Sequence, residues 1–261
     1  MTVSSAVPDL SVALPSGQRM PLLGFGTWQI TGADATRTAA AALRAGYRHI
    51  DTATMYGNEA EIGRALHDSG VDRSDVFVTT KLPGNGAGDP AGTLAQSLQR
   101  LQTSYVDLWL IHWPTGQDTT VWRELAAARD TGSVRDIGVS NFSLEQLDEL
   151  IAQGPTPAVN QVRWSPLLFD AAVLAGHSER GVVLEGYSAL RGGTLDHPVI
   201  LEIALRVGRT AAQVILRWHL QHGVVVIPKS TDEQRIVDNA AVGDFDLSAD
   251  DMTLLDGLGH P

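Results

Sequence analysis

The feature that most constrains this chain is a recurrence. From residue 23 onward a short apolar run followed by a helical pattern returns about every 30 residues, the length of a strand, a helix and their connections. Eight runs read as strands, over residues 23–27, 49–52, 76–82, 106–113, 135–141, 158–164, 182–189 and 224–230. Several are near-continuous, as in Val106-Asp107-Leu108-Trp109-Leu110-Ile111, which suits a strand buried on both faces of a parallel sheet. Helical patterns fill the gaps. An alanine-rich stretch over residues 36–45 stops at Gly46, Leu94, Leu98 and Leu101 recur at helical spacing, and Leu144, Leu147, Leu150 and Ile151 do so before Gly154. Ser143 with Gln146, Thr210 with Gln213 and Ser230 with Glu233 each fit the capping box that satisfies orphan amides at a helix start.

Eight such units in 261 residues, close to the ~250 typical of the fold, predict an α/β protein built as a (β/α)8 TIM barrel. Residues 10–23 read as an N-terminal β-hairpin, with Leu10, Val12 and Leu14 alternating before a turn through Pro15-Ser16-Gly17. Residues 247–258 read as an accessory C-terminal helix. An open doubly wound sheet is the alternative, but Gly24-Phe25-Gly26-Thr27-Trp28 lacks the third glycine and the helix start of a phosphate-binding turn. No linker or composition shift divides the chain, so residues 1–261 read as one domain.

A net charge of -11 argues against nucleic acid or an anionic membrane as the main partner, since either needs a basic face. With no cysteine there is neither a disulfide framework nor a thiolate metal site. Residues 1–16 lack the basic start and apolar run of a signal peptide, and no later run approaches the ~20 apolar residues of a membrane span. The expectation is a soluble cytoplasmic protein, and a monomer, since nothing in the sequence suggests a large apolar interface.

In a barrel of this kind catalytic groups stand at the C-terminal ends of strands. Asp51 ends the second strand, Lys81 lies near the end of the third and His112 follows the apolar run of the fourth, while Tyr56 sits on the turn after Asp51. Singly, each has an ordinary structural explanation: a capping acid, a half-buried tyrosine, a solvated lysine, a satisfied core histidine. Four titratable groups converging on one mouth from neighbouring strands are suited to proton chemistry and form a constellation that no single motif would give.

The chain resembles the aldo-keto reductase family. His-Ile-Asp-Thr-Ala with Tyr-Gly-Asn-Glu, Thr-Lys-Leu, Asp-Leu-Trp-Leu-Ile-His-Trp-Pro, Gly-Val-Ser-Asn-Phe, Asn-Gln-Val, Tyr-Ser-Ala-Leu and Ile-Pro-Lys-Ser occur in the family's order between about residues 14 and 258. The resemblance implies reduction of aldehydes or ketones to alcohols with a nicotinamide cofactor, with Asp51, Tyr56, Lys81 and His112 as the catalytic tetrad and no metal. In that tetrad the Tyr56 phenol donates the proton, the Lys81 ammonium lowers its pKa, Asp51 holds Lys81 charged and a neutral His112 polarises the carbonyl oxygen. It implies that Ser140, Asn141 and Gln161 bind the nicotinamide carboxamide, that Tyr187 stacks on the ring, that Ser188 and Leu190 lie along the pyrophosphate, and that Gly26 and Thr27 also belong to the cofactor site. Lys229, Ser230, Thr231, Arg235 and Asn239 close the last strand and open a helix whose N-terminus favours phosphate; Lys229 and Arg235 there suit a 2'-phosphate, so NADPH is expected over NADH. The matching substrate positions are Trp28, Met55, His112 and Trp113.

Departures from the family pattern bear on substrate. Few residues separate Pro114 from the helix containing Trp122, and the chain stops at Pro261 without a tail over the mouth, so an open pocket is expected. Arg163-Trp164-Ser165 replaces the family's more usual acid, aromatic and histidine, and Asp238 stands where a glutamate is frequent. Two other functions remain in view: a slow, cofactor-binding regulatory barrel, and an aldolase-type enzyme forming a Schiff base at Lys81. The second needs a neutral lysine, which Asp51 opposes.

Overall fold

The structure, a computed structural model, describes residues 7, 10–84, 88–116 and 118–259. The expectations about residues 1–6 and about the terminal Pro261 lie outside these residues.

Eight parallel strands form one curled sheet in sequence order: β3 (Phe25–Gly26), β4 (His49–Asp51), β5 (Phe77–Leu82), β6 (Val106–Ile111), β7 (Val134–Ser140), β8 (Val159–Arg163), β9 (Val183–Tyr187) and β10 (Val225–Val226). β5 and β6 are buried throughout, as the near-continuous apolar run of β6 predicts once helices cover the outer face, while β5 also buries Thr79, Thr80 and Lys81. The sheet closes on itself. Gly24 donates to the Val226 carbonyl, Val226 to Leu22 and Gly26 to Pro228, at 2.8–3.0 Å. Closure here demands glycine, since a Cβ on Gly26 would lie 2.8 Å from the Ile227 carbonyl oxygen.

All eight predicted strands are present, several shorter than expected. The last is the clearest case: only Val225–Val226 of the predicted 224–230 run joins the ladder, and the rest turns outward toward the site. Around the barrel run α1 (Gly32–Arg44), α2 (Glu59–Asp68), α3 (Pro90–Leu101), α4 (Asp118–Asp130), α5 (Leu144–Ile151), α6 (Ala171–Glu179), α7 (Pro198–Val207), α8 (Ala211–Gln221), α9 (Glu233–Ala240) and α10 (Ala249–Asp256). β9 and β10 are joined by two helices, α7 and α8, where one was expected. The capping boxes at Ser143 and Thr210 form as predicted, and a further one forms at Ser248 with Asp251. The third prediction is corrected: α9 is capped by Asp232, which accepts from the Arg235 amide, while Ser230 is turned into its own loop to accept from the Asp232 amide.

An antiparallel hairpin, β1 (Ser11–Ala13) with β2 (Arg19–Pro21), precedes the barrel and crosses its N-terminal end. Met20 is fully buried, Pro21 reaches the His49 ring at the start of β4, and Ser16 hydrogen-bonds Asp136 near the start of β7. The accessory helix α10 docks on α8, where Asp256 accepts from the Trp218 indole at 2.7 Å and pairs with His222 at 2.8 Å. Among the described residues no helix is long and apolar enough to cross a membrane.

Candidate active site

The site forms at the C-terminal ends of the strands. Asp51 closes β4, and its backbone carbonyl accepts from the Thr27 amide and hydroxyl at 3.0 and 2.9 Å. The chain then makes a single 3-10 turn, Thr54–Tyr56, ended by Gly57 at φ 66°, where only glycine is unstrained. Two neighbours fix that turn. The buried Asn58 side chain accepts from Thr52 Oγ1 at 2.8 Å and donates to the Thr27 and Ile30 carbonyls at 3.0 and 2.9 Å. Glu59 accepts from Thr80 Oγ1 at 2.7 Å. Asn58 and Glu59 therefore position the tyrosine without touching the cavity.

Lys81 reaches inward from β5 and is wholly buried. Its Nζ donates to Asp51 Oδ1 and Oδ2 at 2.6 and 2.7 Å and to the Thr52 carbonyl at 2.9 Å, and lies 3.5 Å from the Tyr56 hydroxyl. Burial opposes its charge, but Asp51, Tyr56 and Glu185 outweigh burial and raise its pKa. The phenol behaves differently from expectation: burial of Tyr56 raises its pKa, and the Lys81 ammonium offsets only part of that rise. The His112 ring meets the Tyr56 ring edge-on at 5.7 Å. Burial, helped by Lys81, pulls its pKa down to about 3, so it is neutral, as the sequence suggested. Its buried Nδ1 has no hydrogen-bond partner.

Around this group the structure gathers most of the predicted cofactor residues. Ser140 donates to the Gln161 carbonyl at 2.8 Å, and Asn141 Nδ2 donates to Ser140 Oγ at 2.9 Å. The Tyr187 hydroxyl donates to Asn141 Oδ1 at 2.8 Å, which fixes its ring at the mouth. Gln161 donates its side-chain amide to Asp51 Oδ2 at 2.8 Å, a bond absent from the sequence reading. One cavity of about 960 Å³ is walled by Gly26, Asp51, Tyr56, His112, Ser140, Asn141, Gln161, Tyr187, Ser188, Leu190, Lys229, Ser230, Arg235 and Asn239. Trp28, Met55 and Trp113 rim it, each between 44% and 58% exposed. Three predicted residues do not face it. Lys81 lies beneath its floor, Thr27 is buried behind it and Thr231 is exposed outside its lining.

The cavity also exposes what the sequence reading missed. Gln29, Arg191, Leu195 and the start of α8 at Thr210 to Ala212 contribute wall. Arg191 stacks over the Trp28 ring at 4.9 Å and donates to Gln29 Oε1 at 3.2 Å, joining the loops after β3 and β9 across the mouth. Backbone strain offers a faint signal for this region. Gln29, Asn141 and Ser188 take φ of 61°, 66° and 57°, values that non-glycine residues seldom adopt, and all three line the cavity. Among the described residues no cluster of three or more His, Asp or Glu that could hold a metal ion occurs.

Comparison with known proteins gives a consistent result. The aldo/keto reductase family model matches residues 22–260. An aldo-keto reductase of Mycolicibacterium vanbaalenii is 46% identical over 265 residues, covering 99% of this chain and 94% of that protein. A glyoxal reductase of Bacillus subtilis is 43% identical, covering 95% of this chain and 92% of that protein. Among solved structures, an aldo/keto reductase from Brucella melitensis superimposes with a TM-score of 0.91 at 38% identity, covering 99% of both chains. The aldose reductase of Schistosoma japonicum does so at 0.92 and 31% identity, covering 97% of this chain and 93% of that one. With the closed eight-stranded barrel and the family model spanning nearly all of it, this chain belongs to the aldo/keto reductase family, whose members carry out NAD(P)H-dependent carbonyl reduction.

Proposed function

We propose that the protein reduces small aldehydes or ketones to alcohols with NADPH, using Tyr56 as the proton donor. The observation that carries this reading is the chain of contacts Asp51–Lys81–Tyr56, meeting neutral His112 at the floor of one open cavity. Asp51 keeps Lys81 charged and oriented. Lys81 opposes the effect of burial on the phenol, so that the Tyr56 proton is held less tightly than burial alone would hold it. The uncharged His112 can donate a hydrogen bond to the carbonyl oxygen as negative charge develops there.

The residues present fit a nicotinamide dinucleotide. The cavity volume is at the upper end of the ~300–1,000 Å³ usual for ligand sites. Ser140, Asn141 and Gln161 offer amide and hydroxyl groups beside the tetrad, Tyr187 offers a ring face, and Lys229 and Arg235 line the cavity with Ser230 and Asn239, next to the exposed Thr231. Ser188, Leu190 and Gly26 complete the proposed cradle, and Thr27 supports it from behind through its bonds to the Asp51 carbonyl. The bound cofactor would supply the hydride. The preference for NADPH rests on the Lys229 and Arg235 side chains more than on the α9 terminus, because Asp232 already occupies the Arg235 amide. NADH remains a weaker alternative.

The rim of Trp28, Met55 and Trp113 is apolar and open, which suits small carbonyl compounds without selecting for a charged group. Dicarbonyls deserve a place in the first panel because one relative is a glyoxal reductase. A Schiff base at Lys81 is disfavoured by the ammonium held between Asp51 and Thr52. The protein is further proposed to act as a single-domain cytoplasmic monomer. The test is loss of NADPH absorbance on mixing the purified protein with aldehydes, ketones and dicarbonyls, repeated with NADH. Carbonyl-dependent loss, faster with NADPH, is the expected result; tight cofactor binding without turnover would favour the regulatory reading.

A further inference from the structure

Below the tetrad the barrel holds a second carboxyl group that the proposed chemistry does not use. Glu185 lies in the middle of β9, 0% exposed, in register with Gln161 on β8 and Val225 on β10. Neither of its oxygens meets a donor at hydrogen-bonding geometry. Polar groups face it from three sides. On β4 the Nε2 of buried His49 stands 3.8 Å from Glu185 Oε1, and Asp51 lies beyond it. On β5 there is Lys81, with Tyr56 further out, and on β8 the Gln161 amide that also serves Asp51. β10 offers only Val225 and Val226, and His219 of α8 lies behind the strand beside Gly186.

No positive charge in this cluster is left for Glu185. The Lys81 ammonium is already engaged by both Asp51 oxygens and the Thr52 carbonyl. His49 is neutral, its pKa pulled down to about 3 by burial and Lys81 against a contact with the Pro21 backbone, and its Nε2 contacts Thr79 Oγ1 at 3.2 Å. A buried carboxylate with no counter-charge of its own, approached only by the Gln161 amide that already serves Asp51, is far costlier than the same group holding a proton.

We infer that Glu185 is a positioning residue of the proton-transfer network: it sits under the Asp51–Lys81 pair as a neutral acid, and its proton keeps the buried cluster balanced while Tyr56 gives up its own. Burial and Asp51 push Glu185 up to about 8, with Gln161 and Lys81 pulling the other way. When that proton leaves, the new charge holds the protons of Lys81 and Tyr56 more tightly. As pH rises through about 8, Tyr56 therefore becomes a poorer donor.

This role rests on Tyr56 as the donor proposed above, so its test has one readout that needs no turnover. Phenolate absorbance of the protein minus that of Tyr56→Phe reads the ionisation of Tyr56, and the same difference is taken in a Glu185→Gln background. The expected result is a Tyr56 midpoint shifted to lower pH by Glu185→Gln. The second readout is kcat for carbonyl reduction at about pH 9 relative to about pH 6.5, a ratio expected to rise several-fold in Glu185→Gln. Circular dichroism checks folding, and Glu185→Leu, also neutral, takes the place of Glu185→Gln if that variant does not fold. An unchanged or raised Tyr56 midpoint, or an unchanged kcat ratio, in a folded variant would overturn the role. A lowered midpoint in a protein that reduces no carbonyl would uphold the coupling and remove the proposed function instead.

Discussion

Gln161 on β8 donates its side-chain amide at 2.8 Å to Asp51 on β4, four strands round the barrel, so this one hydrogen bond spans the interior between opposite walls. With Lys81 on both oxygens as well, the Asp51 carboxylate is held from two directions. Replacing Gln161 by Leu removes a donor to a buried charge. The expected cost is about 1.5–3 kcal/mol in unfolding free energy, read by urea denaturation. A loss below experimental error would mean that Gln161 turns away from Asp51 in solution.

Tyr56→Phe keeps the ring that packs edge-on to His112 and removes only the hydroxyl. Cofactor affinity, measured by fluorescence titration, is expected to hold, while kcat for carbonyl reduction falls by roughly 100- to 10,000-fold. Near-normal turnover would assign the proton to another group.

Arg235→Ala is expected to raise KM for NADPH by more than it raises KM for NADH. Its amide is already bound to Asp232, so the substitution tests the guanidinium alone. Equal changes with the two cofactors would mean that Arg235 does not read the 2'-phosphate.

Acid should weaken the fold through its buried histidines. His49 and His112 are held near pKa 3 and His219 near 4, all chiefly by burial, against an ordinary 6.5. The unfolded chain thus takes up protons that the folded chain refuses. Their contribution is whole above about pH 6.5 and is lost as pH falls toward 3–4, by up to about 1.4 kcal/mol per pH unit for each group. Urea unfolding at a series of pH values checks this, and His219→Gln should reduce the slope. A flat stability profile between pH 4 and 6.5 would contradict the assignment.

Local chemistry explains why so much of the barrel is legible in the chain. Burial on both faces writes β6 as an apolar run broken only by Asp107, and Ser143 and Thr210 announce α5 and α8 through caps satisfied within four residues. The tetrad is legible because the fold puts strand ends together. Ser230 misleads because Asp232 is an equally good cap two residues on, and local sequence cannot choose between them. α7 is missed because Leu201 and Leu205 face outward, the latter 85% exposed, which blurs its apolar stripe. Arg191 on Trp28 and Glu185 under Lys81 are contacts between distant parts of the chain, and only barrel closure creates them. The direction of the Tyr56 shift also depends on burial that no spacing reveals.

The hairpin beneath the barrel acts as a stopper. With Met20 buried there and Ser16 fastened to Asp136 on the opposite side, the described site opens only at the end where Trp28, Met55 and Trp113 stand. A vessel with one opening imposes an order of traffic: whatever lies deeper must enter first and leave last. A carbonyl compound resting above a dinucleotide would therefore arrive after it and leave before it, and because each reduction uses up one hydride, the loops joined by Arg191 and Trp28 would have to let the dinucleotide pass once in every turnover.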